Sequence, residues 1–146
     1  MQHLATWQTQ TRQTLQVMVR RVMRTWAPPP KLTTTEWADN YRYLAPESSA
    51  LPGKYRSSLT PWIPGMHEAI DDPLNYLIAC MKSAQVAWTD GVILNWFGRI
   101  VDIDPSPVIG MFSKTDAARE FGQEKIGPMV TVTPRLRDKI DVQTSR

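Results

Sequence analysis

The run from Tyr76 to Gly98, Tyr-Leu-Ile-Ala-Cys-Met-Lys-Ser-Ala-Gln-Val-Ala-Trp-Thr-Asp-Gly-Val-Ile-Leu-Asn-Trp-Phe-Gly, limits what this chain can fold into more than any other. Tyr76 to Met81 is a short apolar run of the length and composition of a strand buried on both faces. Val92, Ile93, Trp96, Phe97 and Ile100 then recur at helical spacing. Between them lies the small and polar set Lys82 to Ala87, which must form a tight loop. Strand, loop and helix in that order is the layout in which backbone N–H groups and the positive end of a helix hold an anion.

Against the phosphate-loop pattern G-x-x-x-x-G-K-[ST], placing the hydroxyl on Thr89 puts Trp88 at the lysine. Ala87 then takes the second glycine and Lys82 the first. One position of the pattern survives. An ordinary strand-to-helix turn with a surface lysine explains the same residues. In favour of a phosphate site, Lys82 carries its charge on a flexible four-carbon stem and can approach phosphate from the start of a loop as well as from its end. It is the only Lys or Arg between Arg56 and Arg99. Thr89 has the hydroxyl that a phosphate-linked Mg²⁺ requires. Ala87 fits less well, because its Cβ resists a positive φ.

Met81 to Asp90 resembles the variant phosphate-binding motif of the large terminase subunit of lambda-like phages, the GpA-like family, in which the lysine can stand at the start of the loop. Residues 28–39 and 44–56 are similar to the segment leading into that family's ATPase domain, and 112–121 with 125–129 to its next strand-to-helix unit. The resemblance covers about residues 28–140. It implies an α/β fold, an incomplete P-loop NTPase (RecA-like) parallel sheet behind an N-terminal helical region. It also implies ATP with Mg²⁺ as cofactors, and ATP-driven packaging of DNA into procapsids. The implied phosphate contacts are Lys82 and the loop Ser83, Ala84, Gln85, Val86, Ala87 and Trp88, with Thr89 as the Mg²⁺-linked hydroxyl. Tyr55 and Trp62 are candidates to pack against a base. Ile63 stands where many members carry a glutamine that reads the adenine edge, so that hydrogen bond is not expected here.

The resemblance further implies a small terminase subunit, double-stranded DNA and the portal or procapsid as partners. The family's Walker B acid, the glutamate beside it and its nuclease residues are expected beyond residue 146. The chain therefore reads as the leading part of a larger machine, shortened naturally as in a prophage remnant or cut. Turnover by this chain alone is not expected. The alternatives are an inactive prophage remnant or an interaction module that binds the small subunit or DNA.

Composition sets the outer limits. With 146 residues there is room for one domain and a modest core. At 42% hydrophobic and 21% charged the chain is not of the disordered class, and a net charge of +3 permits a nucleic-acid partner without requiring one. Cys80 stands alone, so neither an internal disulfide nor a cysteine metal cluster is available, which fits a reducing compartment. No apolar run reaches the length of a membrane span, and a cytoplasmic protein of the host cell is expected.

Three divisions are expected: 1–30, a basic amphipathic helix with a Pro linker; 31–140, the ATPase portion; and 141–146, a polar tail. In the first, Leu15, Val19, Val22 and Trp26 share a face, with Met18 and Met23 beside it. Arg12, Arg20, Arg21 and Arg24 fill the remainder without a single acid. Pro28 to Pro30 stop that helix. Thr33 and Glu36 have capping-box spacing for the next one, which offers Trp37, Tyr41 and Leu44 as a buried stripe. Residues 45–60 read as an ordered loop, whose Lys54 and Arg56 are either solvated or near DNA. Pro61 opens a helix that ends at Asp71, Asp72 and Pro73, with Trp62, Met66, Ala69 and Ile70 inward. His67, with no ligand set around it, is expected to be structural or exposed. Ile100 to Asp104 mimics a Walker B strand but completes the helix begun near Thr89. Val108 to Phe112 is the second strand, parallel to the first, with a helix through about Ile126 after it. Thr133-Pro134 breaks whatever element occupies Met129 to Ile140.

Overall fold

The computed structural model describes residues 14–20, 22–23 and 31–140. The chain divides into two units, Met1–Pro30 and Lys31–Arg146. In the first, residues 14–20 and 22–23 are helical and exposed, including Leu15, Met18, Val19 and Val22. Arg12, Arg21, Arg24, Trp26 and the tail 141–146 lie outside the described residues.

In the second unit, Thr33 caps helix α1 (Thr34–Tyr41). Its hydroxyl accepts from the Glu36 amide, while the Glu36 carboxylate accepts from the Thr33 amide at 2.9 Å. These reciprocal bonds satisfy donors that a helix start leaves orphaned. They also lower the Glu36 pKa, the bond from the Thr33 backbone most and that from its hydroxyl next. The chain then makes a two-residue hairpin, β1 (Tyr43–Leu44) antiparallel to β2 (Gly53–Lys54), with Tyr43 opposite Lys54. A 3₁₀ turn at Ser57–Leu59 leads to α2 (Ile63–Asp71).

A π-helical turn, Trp88–Ile93, runs directly into α3 (Leu94–Ile103). The end of α3 confirms that the acid-ending run at Ile100 to Asp104 belongs to a helix. Helix α4 (Thr115–Glu120) passes through a second π turn, Phe121–Ile126, into α5 (Gly127–Val132). There the ladder widens to a bond from the Gly127 amide back to the Gly122 carbonyl, immediately before Pro128, which has no N–H to offer. The helix therefore continues past Ile126, where the sequence predicts its end. Thr133-Pro134 does break the chain, and α6 (Pro134–Arg137) follows.

The described residues are thus mostly helical with one small antiparallel sheet, and a RecA-like parallel sheet is not present among them. Tyr76–Met81 and Val108–Phe112, predicted as parallel strands, have no ladder partner here. A strand buried on both faces needs a neighbour on each edge, and without one its side chains stay in water. Tyr76 is 98% exposed and Ile109 87%.

The core gathers Trp37, Leu94, Ile103, Met129, Val130 and Leu136, with Tyr41 and Leu44 packed at its margin. Of the stripe predicted for α1, Trp37 is buried and Tyr41 partly so, whereas the helix ends at Tyr41, short of the predicted Leu44, which packs on the core from β1. Asp71, at the end of α2, accepts from the Thr34 amide and hydroxyl at 2.6 Å each and faces Arg99 at 3.8 Å. These contacts fasten the start of α1 to α2 and α3. Helix α2 turns inward a different face from the predicted one: Ile63 and His67 are buried, whereas Trp62 is half exposed. No helix among the described residues is long and apolar enough to cross a membrane.

Candidate nucleotide-binding cleft

Two residues of the predicted phosphate loop adopt a backbone that side chains rarely take. Gln85 has φ +58° and Ala87 φ +57°, both left-handed. For a residue with a Cβ that conformation costs on the order of 1 kcal/mol, so the surrounding structure must enforce it. Ala87 stands at the second glycine of the phosphate-loop pattern, and it accepts the positive φ its side chain was expected to resist. Its carbonyl takes the Gly91 amide at 2.6 Å and so starts the π turn. The Trp62 indole donates to the Val86 carbonyl between the two at 3.2 Å.

The π turn is held from beneath by polar groups. The Gly91 carbonyl accepts from His67 Nε2 at 2.8 Å and from Asn95 Nδ2 at 2.7 Å. A carbonyl can only accept, so Nε2 carries the proton and Nδ1 accepts from the Thr35 hydroxyl at 2.9 Å. His67 is therefore structural, one of the two roles expected for it. Gly91 also lets α2 approach, because a Cβ there would lie 2.2 Å from Ile63 Cδ1. Ile63 is spent on this packing.

Burial pushes the His67 pKa down, with the Gly91 carbonyl and then Asp71 and Asp39 pulling the other way. A folded pKa below the unfolded 6.5 means that the unfolded chain binds the proton first. The stabilisation from His67 is complete above about pH 6.5 and is lost as pH falls below that value toward the folded pKa. Urea midpoints at pH 7.5 and 5.5 should show this loss, and His67→Gln should remove that part of the pH dependence.

Asp90 and Gly91 of the π turn border a cleft of about 680 Å³. Its lining includes Tyr55, Arg56 and Thr60, Gln85 and Ala87 of the loop, Asp90 and Gly91, and Lys125 from the second π turn. The Tyr55 hydroxyl and Thr60 Oγ1 are buried and make no hydrogen bond of full geometry, although Thr60 and Asn95 lie close enough to the phenol to act on its pKa. Buried polar groups are nearly always satisfied, and an incompletely satisfied pair beside a cleft is a place for a ligand group. Burial raises the Tyr55 pKa, so the phenol stays protonated near neutrality. Arg42, wholly buried nearby, donates through Nε to Asn95 Oδ1 at 3.3 Å and through a second nitrogen to the Tyr43 carbonyl. Desolvation lowers its pKa to about 10, opposed by the field of Asp90, and it remains charged.

Of the predicted site residues, the cleft unites Tyr55, Gln85 and Ala87. Lys82, Ser83 and Ala84 are exposed and do not line it; the Lys82 amine reaches the Ser83 carbonyl at 3.4 Å. Val86, Trp88 and Thr89 are half-buried and are not among the residues that line it, nor is Trp62. The sequence pointed to neither Asp90 nor Lys125 for this site, although Arg56 was noted as a charge. No group of three or more His, Cys, Asp or Glu side chains that could hold a metal occurs among the described residues.

The family model for phage terminase large subunit gpA, ATPase domain, matches residues 49–146. No curated protein and no solved structure matches the chain.

Proposed function

The chain belongs to the phage terminase large subunit gpA family through its ATPase domain, and on that premise we propose that its cleft binds a nucleoside triphosphate with Mg²⁺. In this proposal the chain is the nucleotide-holding part of an ATP-driven DNA-packaging machine. The observation that carries it is the left-handed pair Gln85 and Ala87, which aims a strained loop into a helix start beside a cleft with incompletely satisfied hydroxyls. Strain of this kind persists where structure serves binding.

Backbone amides of Ser83 to Trp88 take phosphate oxygens, and Lys82 swings on its flexible stem to meet the same phosphates. Tyr55 packs against the base, and Trp62, anchored on the Val86 carbonyl, either joins it or holds the loop. The residues present suit Mg²⁺. That ion keeps several waters and is bound through substrate phosphates with one or two protein carboxylates, which Asp90 in the cleft lining would supply, with the Thr89 hydroxyl beside it in sequence. When bound, Mg²⁺ neutralises phosphate charge. The exposed apolar runs 76–81 and 108–112 are proposed as the neighbouring parallel strands of a RecA-like sheet once partner strands cover them.

The test is thermal unfolding of the 146-residue chain with Mg-ATP, Mg-ADP and Mg-GTP beside Lys82→Ala. At a hundredfold excess over the dissociation constant, binding adds about 2.7 kcal/mol to stability, and the midpoint rises accordingly. A shift that Lys82→Ala abolishes supports the loop assignment. A cooperative melt with no shift at millimolar nucleotide would refute it.

That result would favour a second function, an interaction module. Its support is the basic helical segment, where Leu15, Met18, Val19 and Val22 are exposed alongside Arg20. An apolar stripe flanked by arginine suits an acidic partner protein or DNA, with the small terminase subunit as the proposed protein partner and the portal or procapsid as the wider assembly.

A further inference from the structure

We infer that Lys125, and not Lys82 alone, contacts the phosphates of the cleft's ligand, with Asp90 holding it in place until the ligand arrives. The inference rests on the nucleotide reading above and deepens it.

Lys125 belongs to the second π turn, yet it lines the same cleft as Gln85 and Ala87.

 Asp90, in the first π turn, stands 35 positions before Lys125 in the sequence, and the fold closes that separation. The Lys125 amine lies 3.8 Å from Asp90 Oδ2, and both side chains are about a third exposed. At that distance the two attract without a hydrogen bond, so the amine is oriented and still free to be recruited. A phosphate oxygen offers it a shorter, charge-assisted bond.

Three further observations converge on this cleft. Its charged lining is Arg56, Lys125 and the single acid Asp90, with the buried charge of Arg42 behind, so its balance is positive and suits an anion. The Tyr55 hydroxyl, on a side chain more than nine-tenths buried, makes no hydrogen bond of full geometry there. Lys82, the cation its motif suggests, is exposed and outside the lining.

The experiment is calorimetric titration of ATP, with Mg²⁺ and without it, into the 146-residue chain and into Lys125→Ala, Lys125→Gln, Lys125→Arg and Asp90→Asn, with unfolding of each variant measured without ligand. Loss of a charge-assisted phosphate contact weakens Mg-ATP binding about tenfold in Lys125→Ala and Lys125→Gln. Lys125→Arg keeps the charge and stays close to wild type. Asp90→Asn releases the lysine and binds metal-free ATP, where no Mg²⁺ contact is at stake, as tightly or more tightly, while the ligand-free unfolding midpoint of the Lys125 variants barely moves. Equal weakening toward metal-free ATP in Asp90→Asn and Lys125→Ala would overturn the inference, because the ion pair would then matter only as a tie between two turns. Unchanged binding in Lys125→Ala would overturn it as well. A wild-type chain that binds no Mg-ATP would bring down the nucleotide reading and this inference together, a result distinct from either of the others.

Discussion

Replacing Asp102 with alanine is expected to cost the folded chain about 3 kcal/mol, near the lower end for breaking a buried ion pair. The carboxylate is fully buried on α3 and serves three donors from two distant parts of the chain. Trp37 Nε1 donates to it at 2.9 Å, Arg135 Nε at 2.7 Å, and the Lys139 amine reaches both the carboxylate and the Asp102 carbonyl. Burial works to raise its pKa, but the bonds from Lys139, Arg135 and Trp37 outweigh burial and hold it below the ordinary 3.8.

The size of the loss depends on where the abandoned donors go. Arg135 and Lys139 are about two-fifths exposed and can turn to water, whereas the Trp37 indole N–H is buried and stays unsatisfied. That argues against the full cost of two stranded charges. Asp102→Asn keeps the shape and one acceptor and should lose less. Since the folded pKa lies below the unfolded one, the contribution of Asp102 is present above about pH 3.8 and is lost as pH falls through the folded value. Urea unfolding at pH 7 and pH 3 tests both statements. Equal stability of wild type and Asp102→Ala at pH 7 would mean that α6 and α3 are not joined through this carboxylate.

Asp102 also shows what the sequence discloses and what it hides. That Ile100 to Asp104 completes a helix follows from helical spacing alone. That its acid is the anchor of the C-terminal segment does not, because Trp37, Arg135 and Lys139 approach from 65, 33 and 37 positions away. Local signals were legible for the same reason. The capping box at Thr33 and Glu36, the limits of α2 near Pro61 and Asp71, and the break at Thr133-Pro134 all depend on residues a few positions apart.

The face of α2 was not legible. His67 is buried because a remote hydroxyl and a remote carbonyl satisfy its ring, and hydrophobic spacing cannot register either. The π turns hid more. Each adds a residue to a helical turn, so side chains after it rotate away from the positions a 3.6-residue period assigns, and Lys125 lies within such a turn. The runs 76–81 and 108–112 have strand composition, but ladder partners are not a local property. In the cleft, the sequence pointed to Gln85, Ala87 and Tyr55, while Asp90 and Lys125 required the fold.

Trp37→Ala should destabilise the chain by about 3–5 kcal/mol, the range for deleting a buried aromatic ring. Its indole is fully buried in the main core and also supplies the hydrogen bond to Asp102. The ring packs so closely on α3 that a Cβ on Gly98 would lie 2.2 Å from Trp37 Cη2 and 2.6 Å from Cζ3. A rigid indole cannot yield as the flexible end of a side chain can, so Gly98→Ala alone should cost about 1–3 kcal/mol through overpacking.

The two substitutions should not add. Once the indole is gone, the methyl at position 98 enters vacated space. There alanine gains the advantage of about 1 kcal/mol that it holds over glycine within a helix. The double variant should therefore be more stable than Trp37→Ala alone, although Gly98→Ala destabilises the wild type. Urea denaturation of the four proteins gives the coupling energy directly. Simple additivity would show that residue 98 is kept as glycine for some reason other than the approach of Trp37, and would separate the packing of α1 on α3 from the stability of α3 itself.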